Sequence, residues 1–294
     1  MKYLILFLFA TCNLFAQESK ISDRLVALDS NGKIWYNIDG YSITSETFNY
    51  NFDEKGLKKV FKKHSIKEED ARTTDDSIKR NNIIVRKFEK LNDKITQRNS
   101  YYFLESNENK ILVIWFAKTS AEDLKLQTEL TNLIVENKIP KSNFVSMQTN
   151  QINFGNRQIE LANSCYWTFL NTVQCPYFGE MNWSVHKTSE DAKESIENQL
   201  EITKSRKSGK VLSEEFVNIE FENVQTVAKK VIYDIKGVNS LLVGMSGGKT
   251  LTIYYVAEKV RENYMSCVLS FWNNDEINPE TKLPPLLEKV MKLK

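Results

Sequence analysis

Ile111-Leu112-Val113-Ile114-Trp115-Phe116-Ala117 is an unbroken apolar run, rich in β-branched and aromatic residues, which reads as a central strand covered on both faces. Directly after it, Thr119-Ser120-Ala121-Glu122 has the spacing of a capping box and predicts a helix to about Lys138. Leu126, Leu130, Leu133 and Ile134 would form its buried stripe, and Pro140 marks its end. Before the run, Tyr101 to Glu105 is separated from it by Ser106-Asn107-Glu108-Asn109, a hairpin signal. A hairpin feeding a helix is therefore the local grammar, and it recurs along the chain.

Further strands are expected at 33–38, 45–51, 83–91, 165–174, 180–187, 214–221, 228–236, 250–256 and 264–272. Leu57, Val60, Phe61 and His64 fall at helical spacing in 54–65, with lysines on the other sides. Thr188-Ser189-Glu190-Asp191 caps a helix whose stripe is Ala192, Ile196 and Leu200, and Pro284-Pro285 opens a last short one. Runs of strands broken by few helices mean an α+β fold. The length and the order of elements predict two tandem units, residues 25–142 and 143–294, each an antiparallel sheet with two flanking helices. A competing repeat is visible, in which Trp115 to Lys118-Thr119-Ser120 recurs as Trp183 to Lys187-Thr188-Ser189. The element order of each half resembles that of PsbP-like domains, an analogy of fold that implies no activity.

Composition narrows the function classes. The 294 residues contain 40 Lys+Arg against 38 Asp+Glu, and opposite charges are interspersed, so the positive field that nucleic-acid binding needs is missing. Ten Gly and five Pro are too few for a low-complexity chain. At the start, Lys2, the apolar Tyr3 to Ala10 and Leu14-Phe15-Ala16 read as a signal peptide over 1–16, cleaved before Gln17 and followed by a linker over 17–24. Export to the periplasm or the extracellular space follows. Lipidation at Cys12 is a minor alternative, because Phe9-Ala10-Thr11 is a poor recognition sequence for it. No later stretch has the 18 apolar residues expected of a spanning helix, so the mature chain is expected to lack one.

Export permits disulfides, and Cys165, Cys175 and Cys267 would remain in the mature chain. In one continuous strand, Cys165 and Cys175 would stand about 33 Å apart. They meet only if the chain turns near Leu170-Asn171-Thr172; otherwise both are small core residues, or carry a thiol function. Cys267 alternates with Met265, Leu269 and Phe271 and reads as a buried thiol.

Catalytic signatures fail on context. Gly244-Met245-Ser246-Gly247-Gly248 matches G-x-S-x-G, but Thr250 to Val256 reads as a strand where a helix is required, and His64 and His186 both precede the serine. The same segment falls one residue short of a phosphate loop. Two distant histidines and dispersed cysteines form no metal motif, so neither metal nor cofactor is expected. The acidic cluster from Glu68 to Asp76 reads as solvated. Aromatic residues remain. Tyr166, Trp167, Trp183, Tyr254 and Trp272 are the candidates for a surface that recognises a protein or glycan partner in the cell envelope, with core packing as the competing role. The expectation is a secreted or periplasmic, non-enzymatic binding protein; the alternative is an envelope hydrolase with a carboxylate or Ser246 site. A bare sheet face bearing aromatic rings would favour the first, and a clustered, open carboxylate pair the second.

Overall fold

The computed structural model describes residues 21–30, 32–146, 149–206, 208–235 and 248–294. The segment assigned to a signal peptide and the Ser246 motif, except for Gly248, lie outside these residues. After a helical turn, α1 (Ile21–Arg24), the chain forms a meander of β1 (Val26–Ser30), β2 (Lys33–Ile38) and β3 (Tyr41–Asn51). Asp39 and Gly40, with φ of 49° and 76°, make the β2–β3 turn, where the left-handed backbone matches the twist of the hairpin. Helix α2 (Glu54–Lys63) follows, and then β4 (Arg72–Thr73), β5 (Asn82–Lys90), β6 (Thr96–Glu105), β7 (Lys110–Lys118) and α3 (Leu124–Val135). The sheet order is β1-β2-β3-β7-β6-β5-β4, with every pairing antiparallel.

The second unit repeats that path. A small hairpin, β8 (Gln151–Phe154) and β9 (Arg157–Glu160), precedes β10 (Tyr166–Phe169), β11 (Thr172–Cys175) and β12 (Gly179–His186). Helix α4 (Ser189–Ser205) is followed by β13 (Gly209–Phe221), β14 (Val224–Ile235), β15 (Thr250–Val260), β16 (Asn263–Trp272), α5 (Pro285–Glu288) and β17 (Met291–Leu293). Its order is β10-β11-β12-β16-β15-β14-β13-β17. In both units a three-strand meander leads to a helix, and four returning strands then place their last member beside the third strand. The architecture is thus α+β, two antiparallel sheet units with few helices. Trp115 lies on the seventh strand of its unit and Trp183 on the third of the other, so the 67-residue register is not the structural repeat.

Each sheet buries the central part of one face. In the first unit Tyr36, Ile43, Tyr102, Ile114 and Phe116 pack against Leu126, Leu130 and Ile134 of α3. In the second, Trp183, Val256, Cys267 and Leu269 pack with Leu286 and Leu287 of α5 and with Ile152, Phe154 and Ile159 of the small hairpin. On its other face, Val231, Tyr233, Ile253 and Tyr255 meet Ile196 and Leu200 of α4. The units touch where Ser184 Oγ donates to Asn37 Oδ1 at 3.3 Å and Lys187 pairs with Asp123 at 2.9 Å.

Several local expectations are corrected. Helix α3 begins at Leu124 and is capped by Asp123, whose carboxylate accepts from Leu126 N at 2.9 Å. The capping box fails because Glu122 is engaged elsewhere, accepting from Ser100 Oγ at 2.7 Å and from Gln127 Nε2. The stretch read as a linker over 17–24 ends in α1, since Arg24 is buried on Asp39 at 2.7 Å. Past residue 142 the chain is still tied to the first unit, through Val145 N donating to Ala27 O at 2.8 Å. Residues 165–174 are not one strand: the chain turns at Leu170-Asn171, and β10 pairs with β11. Helix α4 starts from Thr188, whose hydroxyl accepts from Asp191 N, as its cap chemistry predicts.

Candidate functional site

Strand register places one row of side chains across the first sheet. Trp35 pairs with Thr44, Thr44 with Trp115, and Trp115 with Tyr101, so β2, β3, β7 and β6 present these four residues side by side on one face. At about 4.8 Å per strand, Trp35 to Tyr101 spans roughly 15 Å. The same face carries α2 at one end, where Val60 and Phe61 pack on Phe48, Phe103, Ile111 and Val113. A ten-residue helix is about 15 Å long, while seven strands are about 29 Å wide, so α2 leaves part of this face uncovered. Trp35, Tyr101 and Trp115 are consequently half-buried, in an open cleft of about 610 Å³. Along β7, Ile111, Val113, Ile114, Phe116 and Ala117 are buried while Leu112 and Trp115 are half-buried, so the double coverage read for this run is interrupted at those two residues.

The rings are held in place. Tyr101 and Trp115 have centroids 6.4 Å apart and planes within 22° of parallel. Trp115 Nε1 donates to Asn99 Oδ1 at 3.0 Å, and Gln97 Nε2 donates to the same oxygen. Lys33, 5.7 Å from the Trp35 ring centroid, pairs with Glu46 at 3.0 Å. His64, just after α2, packs edge-on to Phe48 and Phe103 and tilts onto Tyr101. Burial lowers its pKa below the usual imidazole value, with Lys33 and Lys63 adding to the effect and Glu46 opposing it. Its Nε2 has no hydrogen-bond partner among the described residues, an uncommon state for a buried polar atom. Lys63, Lys87, Glu89 and Ser65 complete the polar rim. The cleft therefore combines a hydrophobic floor with hydrogen-bonding groups at its border.

The aromatic residues nominated from sequence are placed differently. Trp167, Trp183 and Tyr254 are 4%, 5% and 2% exposed, and the two tryptophan rings pack 5.6 Å apart in the core of the second unit. These three form no binding surface, because the α5 segment and the small hairpin cover that face of their sheet. Tyr166, 39% exposed, sits on the edge strand β10, and Trp272 is half-buried at the end of β16. Burial raises the Tyr254 hydroxyl pKa to about 12. Cys165 and Cys175 are joined in a disulfide across the β10–β11 hairpin. Cys267 is a buried free thiol whose pKa burial drives well up.

Trp35, Tyr101 and Trp115 escaped selection because their crowding is spatial, not sequential. The signal available was the alternation within each strand, Tyr101 against Tyr102 and Trp115 against Phe116, which puts one ring of each pair on the opposite face. A wider cleft of about 710 Å³ lies between the units; Arg24 is engaged on Asp39 and Asn143 Nδ2 on the carbonyls of Ser22 and Leu25, while Asn143 Oδ1 and Asn263 Nδ2 have no partner among the described residues. Among the described residues no group of His, Cys, Asp and Glu is arranged to hold a metal ion, and no helix is long and apolar enough to cross a membrane.

No protein-family model matches this sequence, and no curated protein matches it either. Among solved structures, the di-domain ARO/CYC StfQ from the steffimycin biosynthetic pathway aligns over 87% of this chain and 75% of its own, at 11% identity and a TM-score of 0.17, too low to bear on fold or function.

Proposed function

We propose that this is an exported, non-enzymatic binding protein whose first unit recognises a glycan on the Trp35-Thr44-Trp115-Tyr101 row. The single observation behind this reading is that row itself, a line of half-exposed rings on an uncovered sheet face. Sugar rings have apolar faces and hydroxyl edges. A ring platform takes the faces, and Asn99, Lys63, Lys87 and Glu89 at the border suit the hydroxyls. An open cleft without an enclosed end accommodates a chain better than a single small molecule. A protein partner is the second reading of the same face; it requires a larger continuous apolar patch than this polar-rimmed cleft provides.

The test is titration of the purified protein with short soluble oligosaccharides, followed by tryptophan emission. Trp115→Ala is expected to weaken binding about 10-fold or more, in line with about 1–3 kcal/mol for a central aromatic anchor, while Trp183→Phe leaves affinity unchanged. Equal affinity in wild type and Trp115→Ala would remove the platform from recognition.

Export is part of the same proposal, supported by the leader-like start of the sequence and by the Cys165–Cys175 disulfide, which suits an oxidising compartment. N-terminal sequencing of the cell-envelope or secreted fraction is expected to read from Gln17; a chain retaining Met1, or one beginning at a lipidated Cys12, refutes it. The likeness of each unit to PsbP-like domains is proposed only as an analogy of element order, and it adds nothing to the choice of ligand.

A further inference from the structure

The second unit has a row of its own on the face that carries α4. Gln174 of β11 pairs with Glu180 of β12, Glu180 with Ser270 of β16, and Ser270 with Ile253 of β15. Ile253 lies in the apolar cluster with Ile196 and Leu200 of α4, so the row runs from that cluster into a polar end. There, beside the C-terminal end of α4, a cavity of about 280 Å³ has Glu180 among its lining, with Tyr177, Tyr233, Trp272, Asp275 and Arg206 around it.

Glu180 is the anomaly of this cavity. It is half-buried, and among the described residues its carboxyl has no hydrogen-bond or salt-bridge partner. Burial raises its pKa, and the charge of Arg206 only partly offsets that. Asp275 is shifted upward for the same reason, while its Oδ2 accepts from Trp272 N at 2.8 Å. With both acids ionised, the two carboxylates and Arg206 leave the cavity one negative charge in excess. A half-buried acid without a protein partner among the described residues, beside aromatic walls, is a group that a cationic ligand would pair.

We propose that this cavity is a second binding site, for a small organic ammonium ion whose charge is taken by Glu180 and whose carbon skeleton lies against Trp272 and Tyr233. An anion is disfavoured by the two acids, and a neutral apolar ligand would leave Glu180 unpaired. Rings facing a cation add attraction, and the cavity volume limits the ligand to a few carbon atoms beyond the nitrogen. The site is independent of the glycan row, since it stands on other residues in the other unit.

The experiment is calorimetric titration of the full protein with n-butylammonium, and with n-butanol as the uncharged probe. Wild type is expected to bind the ammonium saturably and butanol far more weakly. Glu180→Gln is expected to weaken ammonium binding about 10-fold or more, as loss of a charge-assisted contact implies. Trp115→Ala is expected to bind the ammonium like wild type, which separates this site from the glycan row. Affinity should also rise with pH through the range in which Glu180 loses its proton, with Asp275, Arg206, Tyr177 and Tyr233 as the other titratable groups facing it, and this rise should shrink in Glu180→Gln to what Asp275 contributes. Removal of a half-buried acid that holds no protein partner among the described residues should leave the melting temperature of Glu180→Gln close to or above that of wild type, so lost binding is not lost folding. Equal binding of butanol, unchanged ammonium affinity in Glu180→Gln, or a pH response undiminished by that substitution overturns the proposal.

Discussion

Glu222→Gln is expected to destabilise the second unit by about 3 kcal/mol, the low end of what breaking a buried ion pair costs. Glu222 occupies the β13–β14 turn with φ of 50°, and its side chain is 2% exposed. Arg157 Nε donates to it at 2.9 Å and Arg261 Nη1 at 2.5 Å, with Arg157 Nη2 on its other oxygen. The two guanidiniums also reach backbone: Arg261 donates to the carbonyls of Gly155 and Phe154, and Arg157 to that of Lys289. One carboxylate thus joins the small hairpin, the β13–β14 and β15–β16 turns, and the segment after α5. Gln keeps the shape but removes the charge that compensates two guanidiniums. The arginines are about one-third exposed and regain some hydration, which keeps the loss near the lower bound. Thermal melting by circular dichroism should fall by roughly 6–12 °C. Glu220→Gln, which alters a carboxylate bonded to Lys292 and Lys294 at the surface, should melt close to wild type. Equal melting of wild type and Glu222→Gln would show that the cluster does not hold these elements together.

Acidification should weaken the fold through His186. This residue is 3% exposed at the contact between units, with Nε2 hydrogen-bonded to Ser266 Oγ at 2.8 Å and Nδ1 without a partner among the described residues. Gly40 lies against its ring, so close that a Cβ there would sit 3.1 Å from Cε1. Burial, followed by the charge of Lys118, lowers the His186 pKa from 6.5 to about 4, and Asp191 opposes them weakly. The unfolded chain takes up the proton near 6.5 and the folded chain only near 4. Between those values the unfolded state binds more protons, so stability is greatest above 6.5 and declines as pH falls towards 4. The full difference corresponds to about 3 kcal/mol. His64, lowered by burial in the first unit, acts in the same direction. Urea unfolding of wild type and His186→Gln at pH 7 and pH 4.5 measures this. The variant should lose less stability than wild type over that interval, and an identical loss in both would exclude His186 as the titrating group.

Much of the element pattern was legible because it is a local property. The strand at 33–38 matches β2 residue for residue, and Asp53, Thr188 and Pro285 mark helix starts through chemistry confined to a single turn. Short elements were not legible. β8, β9 and β17 are three or four residues long, too few for a period to show, and their stability comes from Arg157, Arg261 and Glu222, which lie far apart in sequence. Likewise, Glu122 was suited to a cap by position but is held by Ser100, a residue on another strand.

For the site, alternation along Tyr101-Tyr102 and Trp115-Phe116 assigns rings to opposite faces, and it does so from sequence alone. It does not say what covers a face. Trp183 and Trp115 stand on similarly alternating strands, yet one is in the core and the other lines a cleft. The sequence by itself determined the α+β character, the two-unit organisation and which side chains share a face, because these follow from dihedral preference and periodicity within one element. The tertiary structure alone decided that α2 is too short to cover its sheet, that register aligns Trp35, Thr44, Trp115 and Tyr101, and that Glu180 is half-buried without a partner among the described residues. Those outcomes depend on the lengths and positions of separate elements relative to one another, and burial is a property of that packing rather than of any residue.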